Sequence, residues 1–91
     1  MLHIVKTLDK IKLVLDYLGD DDHVLLVEDS VYIANPNHYL HQVLCDHTRI
    51  SILENDCIAR GLQSVVSERI RKVDFKGFVE LTVLHNKSIT W

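Results

Sequence analysis

The sequence predicts a small three-layer α/β fold, a mainly parallel sheet of about five strands flanked by helices. Three observations predict it. Short apolar runs alternate along the chain with segments of helical period, the pattern of right-handed βαβ crossovers. The run Val24 to Val27 is continuously apolar, as in a strand covered on both faces. The chain has 91 residues, which suffices for one domain, residues 1–91, and leaves no room for a second.

The elements follow in order. Leu2-His3-Ile4-Val5 reads as a first strand. Leu8, Ile11, Leu15 and Leu18 recur at helical spacing, Val14 widens the stripe, and Gly19 is a natural stop. Asp20-Asp21-Asp22 forms an acidic turn before the second strand, Val24 to Val27. Ser30 to Ala34 and Tyr39 to Leu44 read as helical or irregular connection, broken by the turn Asn35-Pro36-Asn37. Ile50 to Leu53 is a third strand. Asp56 to Leu62 is a short helix, with Asn55 or Asp56 as N-cap and Gly61 near its end. Ile70 to Val73 is a fourth strand. Phe75, Phe78, Val79 and Thr82 share the face of a last helix, and Ser88 to Trp91 closes the chain as a fifth strand. In such sheets binding sites gather beyond the carboxyl ends of the strands. Here those ends carry Glu28-Asp29-Ser30, Glu54-Asn55-Asp56 and Asp74.

Composition excludes several function classes. Ten Lys and Arg are scattered among thirteen acids for a formal charge of -3, the opposite of the concentrated basic patch that nucleic acid requires. No apolar run reaches the roughly 20 residues needed to span a bilayer, and Met1 to Lys12 lacks a signal-peptide core. A cytoplasmic protein with two reduced cysteines, Cys45 and Cys57, is expected. A chain this small gains stability from oligomerisation.

The chemistry-bearing residues each have two readings. Cys57 lies in the first turn of a predicted helix, where the positive end of the dipole favours a thiolate. Glu54 and Asp56 oppose that, and a small buried cysteine packs well in a core. Cys57 is the one catalytic candidate, with core packing the favoured reading. Cys45 precedes Asp46-His47, but neighbours in a loop rarely form a thiolate–imidazolium couple. His38 and His41 are three apart and His47 is in a loop, with neither a zinc motif nor a Cys-x-x-Cys pair. No metal and no cofactor are expected. Asp20 to Asp22 sit at the amino edge of a strand, the wrong edge for a phosphoacceptor site, and read as a solvated turn. The three glycines, Gly19, Gly61 and Gly77, are too dispersed for a phosphate loop. Arg60 reads as a helix-end arginine bonding the last carbonyls and an acid such as Asp74, or as a subunit contact or a guide for an anionic sulfur group. Phe75, Phe78, Val79 and Leu81 offer more apolar surface than one helix face needs. Part of it, with His85 and Trp91, is a candidate interface.

Three segments carry a resemblance to a known family. They are Val24-Leu25-Leu26-Val27-Glu28-Asp29-Ser30-Val31, the stretch Ile50 to Leu62 with Ala59-Arg60-Gly61, and Val73 to His85, framed by Leu2-His3 and Trp91. In order and spacing the chain resembles the TusB/DsrH family, the small subunits of TusBCD and DsrEFH sulfur-relay complexes. The resemblance covers nearly the whole chain and implies the same α/β architecture. It implies TusC-like and TusD-like subunits as partners in a heterohexamer, fed by a TusA-like carrier and emptied by a TusE-like one. The persulfide cysteine would belong to the TusD-like partner, and the sulfur would end in the 2-thiouridine of a modified wobble uridine in tRNA. Relatives commonly place leucine where Cys57 stands. DsrH proteins of sulfur oxidisers carry a cysteine between the first two strands, but Thr7 to Val24 contains none. The chain therefore leans toward TusB and a non-catalytic role, with Arg60, Phe78, His85 and Trp91 as interface candidates. The alternatives are a sulfurtransferase in its own right with Cys57 as persulfide carrier, a DsrH-like subunit in dissimilatory sulfur metabolism, and a stand-alone homo-oligomeric binding domain.

Overall fold

The computed structural model describes residues 1–44 and 47–91; Cys45 and Asp46, and with them the Cys45–His47 reading, lie outside the described residues. Five parallel strands form one sheet: β1 (Leu2–Val5), β2 (His23–Leu26), β3 (Ile50–Leu53), β4 (Arg71–Val73) and β5 (Ser88–Thr90), in the order β4-β3-β2-β1-β5. The helices are α1 (Ile11–Tyr17), α2 (Glu54–Ala59) and α3 (Phe75–Leu84). The expected α/β class and strand number are therefore those of the molecule. The connections Glu28–Ala34 and His41–Leu44 are 3₁₀ helices, and another, Leu8–Lys10, leads into α1.

Strand order explains the layers. From β1 to β4 the chain steps always to the same side, so right-handed crossovers place α1, the 3₁₀ segments and α2 on one face. The step from β4 to β5 runs back across the sheet, so the same handedness places α3 on the other face. The two apolar cores match this division. One gathers Val5, Ile11, Val14, Val24, Leu26, Val31, Ile52 and Cys57. The other gathers Leu2, Leu25, Val27, Leu53 and Val73 beneath Phe78 and Leu81 of α3. The register Val24↔Ile50, Leu25↔Ser51, Leu26↔Ile52 keeps alternate residues in alternate cores. The central β2 is buried along three of its four residues, as its unbroken apolar run requires.

Two details depart from the sequence reading. The expected face of α3 was Phe75, Phe78, Val79 and Thr82, but the helix rests on the sheet through Phe78 and Leu81, leaving Phe75 and Val79 59% and 60% exposed. Gly77 decides this orientation: a Cβ there would stand 2.9 Å from Val73 Cβ, so this bare position turns toward β4. Helix α2 starts at Glu54 directly from β3, with Leu53 at the N-cap position and no side-chain cap, so neither Asn55 nor Asp56 caps it. Its C-terminal end is closed by backbone. Gly61 adopts φ +68° while its N–H reaches the Ile58 carbonyl (3.1 Å) and that of Leu62 reaches Cys57 (2.8 Å), a Schellman motif.

Candidate functional site

The carboxyl ends of β2 and β3 meet in a small polar cluster. Glu28 follows β2 in the left-handed region, φ +50°, unusual for a residue with a side chain. Its N–H donates to Asp56 Oδ2 at 2.6 Å. Skipping its expected capping role in α2, Asp56 thus ties α2 to the start of the 3₁₀ helix. Arg60 donates from Nε and Nη2 to Asp29 Oδ1 at 3.2 and 3.1 Å, and from Nη1 to the Asp56 carbonyl at 3.4 Å. A carbonyl contact and an acid partner are both expected of a helix-end arginine, but the acid is Asp29 rather than Asp74. Asp74 is engaged as the N-cap of α3, accepting from Gly77 N–H at 2.8 Å, and Asp29 lies on the element that α2 packs against. Ser30 is buried and donates its hydroxyl to the Val5 carbonyl at 2.6 Å, with that of Val27 at 2.8 Å. Every polar side chain of this cluster that is not exposed is thus engaged in holding the fold.

Cys57 lies just beneath this edge and is 1% exposed. Burial, the largest influence, pushes its thiol up from the ordinary value; Lys72 comes next and pulls it down, while Asp56 and Glu54 raise it and Arg60 lowers it. The helix-dipole argument therefore loses to desolvation. Such a thiol is protonated near neutral pH, and it packs among Ile52, Leu62 and Val66. Cys57 also lines a surface depression together with Glu54, Ile58, Gln63 and Lys72.

The histidines are distributed among separate tasks. His41 Nδ1–H donates to the Ile33 carbonyl (2.7 Å), and His38 Nδ1 accepts from Leu40 N–H (3.1 Å). Among the described residues no three His, Cys, Asp or Glu side chains gather as metal ligands. His3, missed as a site by sequence reading, is buried at the opposite edge. Its Nδ1 accepts from Trp91 Nε1–H (3.1 Å), so its proton sits on Nε2 and is donated to Asp22 Oδ2 (2.9 Å). Asp22 also accepts from Gly19 N–H and the Met1 ammonium. The acidic turn therefore divides: Asp21 is 99% exposed in its side chain, and Asp22 is a structural acceptor. Trp91 is covered from within the chain, by His3 and by Tyr17 at 5.9 Å between rings. On the α3 face, His23 Nε2 contacts Ser51 Oγ at 2.9 Å and its ring stands 6.1 Å from that of His85. No local motif foretold the pairings of His3 with Asp22, His3 with Trp91 and His23 with Ser51, because they join residues 19 to 88 positions apart.

Comparison with known proteins adds what geometry alone does not. A family model described as "DsrH like protein" matches residues 6–88. Protein TusB of Escherichia coli O139:H28 (strain E24377A / ETEC) is 34% identical over 91 residues, covering 99% of this chain and 96% of that protein. Protein TusB of Shigella boydii serotype 18 matches to the same extent. The chain belongs to the TusB/DsrH family. A solved protein of unknown function from Methanobacterium thermoautotrophicum superposes with a TM-score of 0.70 over 99% of this chain and 96% of that one. At 12% identity this likeness concerns the fold alone. Within this TusB/DsrH-family chain the segment between β1 and β2 carries no cysteine, and no helix among the described residues is long and apolar enough to cross a membrane.

Proposed function

We propose that this chain is a non-catalytic, TusB-type subunit of a cytoplasmic sulfur-relay complex. In that reading it assembles with TusC-like and TusD-like subunits into a heterohexamer. Sulfur arrives as persulfide from a TusA-like carrier, rests on the cysteine of the TusD-like subunit and leaves on a TusE-like carrier toward 2-thiouridine at the wobble position of tRNA. The observation that carries the reading is the state of Cys57 in a chain 34% identical to Protein TusB over nearly its full length. A persulfide carrier presents a thiolate to a partner protein. Cys57 is buried, and its thiol is pushed toward the protonated form. The contribution of this chain is then to complete and stabilise the assembly. Arg60, Phe78, His85 and Trp91 are its interface candidates, through whatever part of each the fold leaves open.

The test is affinity purification of the tagged chain from its own host, with native mass spectrometry of the intact assembly. Two further small α/β subunits in equal amounts, one holding a persulfide-bearing cysteine, is the expected result. A homo-oligomer with an extra sulfur atom on Cys57 would overturn it and make this chain the carrier.

A further inference from the structure

The fold leaves one face of α3 without a use. Phe75, Val79 and Val83 follow one another at intervals of four, forming a continuous stripe on the side away from the sheet. They are 59%, 60% and 77% exposed, and Leu84 beside them is 74% exposed. Apolar patches of this kind on a small protein mark interaction sites. At the C-terminal end of the stripe the surface changes character. His85 ends the helix over His23, and Arg71 stands on β4 in register with Ser51, the hydroxyl that His23 contacts. Arg49, just before β3, forms an ion pair among the described residues with the fully solvated Asp21, at 3.5 Å. Burial, followed by the positive fields of His85, Arg71 and Arg49, holds His23 below its ordinary value. Among the described residues neither the Arg71 side chain nor the His85 ring has a hydrogen bond or an ion pair, although Glu54, Asp74 and Glu80 line the same groove as Arg71.

An apolar stripe ending in an unpaired basic corner defines its complement. We propose that the outer face of α3 docks a companion subunit of the same complex, whose contact surface is apolar and carries carboxylates facing Arg71 and His85. This rests on the subunit reading above. A second copy of this chain is a poorer complement. Its own α3 brings one base, Lys76, and one acid, Glu80, hence no net charge to set against the corner. A carboxylate-bearing companion satisfies both halves of the surface, with the apolar stripe supplying contact area and the charges fixing register.

The experiment is coexpression of the tagged chain with its host's TusC-like and TusD-like subunits, read by native mass spectrometry over a salt series. Val79→Glu with Val83→Glu places charge on two exposed positions. Circular dichroism and thermal melting check that the isolated chain still folds. The expected result is a loss of companion retention of about tenfold or more in the double variant. Arg71→Glu is expected to weaken retention by about tenfold and flatten its salt dependence. Assembly of the double variant as complete as that of the wild type would overturn the docking face while leaving the subunit reading intact. Failure of the wild-type chain to assemble would overturn both. A homodimer that the double variant breaks would overturn the companion in favour of a second copy.

Discussion

At the scale of single residues, buried and partly buried polar groups here serve the fold, and two residues make that claim measurable. Asp22 accepts first from His3, then from Gly19 N–H and the Met1 ammonium, and these hold its carboxyl far below the usual carboxylate range. A depressed acid contributes stability above its unfolded value, near 3.9, and the contribution is lost as pH falls through the folded value. Asp22→Asn is therefore expected to cost about 1–3 kcal/mol at pH 7, with the gap to wild type closing in strong acid. Urea unfolding at both pH values measures it, and equal stability at pH 7 would deny the network any weight. Cys57 makes the second case. Its raised thiol and 1% exposure predict that mass-mapped alkylation at Cys57 is slow in the native chain and becomes fast on unfolding. Rapid native labelling would favour the carrier reading.

At the scale of elements, the ends of helices show what local sequence specifies and what it does not. Gly61 was legible as a stop because a left-handed residue is needed there, and the structure gives φ +68° with no neighbour in the way of a Cβ. Gly61→Ala should then cost about 1–2 kcal/mol from backbone strain alone, seen as a lower melting temperature with an unchanged spectrum. The positions of β2 and β3 were legible for a similarly local reason, since short, mostly apolar runs between turn signals have few other uses. The face of α3 was not. Phe75 and Val79 look like core by composition, and only the close approach of Gly77 to Val73, a tertiary fact, turns Phe78 and Leu81 inward instead. The start of α2 failed similarly: Asp56 reads as a cap in one dimension, yet its carboxylate is claimed by Glu28, far away in sequence. The partner of Arg60 had to come from the same tertiary packing, which brings Asp29 rather than Asp74 to it. The candidate site was legible as a set of strand-end acids, but not in who pairs with whom.

At the scale of the whole molecule, the strand order β4-β3-β2-β1-β5 sends three crossovers to one face and one to the other. The first face is sealed by α1, α2 and the 3₁₀ segments; the second depends on α3 alone, and there the surface left open is both apolar and basic. His23 reports on this thin side. It is half-buried beneath His85, and desolvation first, then His85, Arg71 and Arg49, disfavour its charged form. The sign follows. A histidine with a depressed folded value binds its proton more readily when unfolded, so its effect on stability is absent above the unfolded value near 6.5. Folding weakens as pH falls from there toward the folded value. His23→Gln keeps a group able to bond Ser51 and removes the titration, so denaturant unfolding at pH 7.5 and 5.5 should show a smaller loss in the variant than in wild type. An identical loss would mean that the cations of this corner do not act on the folded state through His23. A companion that brings carboxylates to Arg71 and His85 should shrink the wild-type loss in the same pH window, because it offsets the field that disfavours the imidazolium.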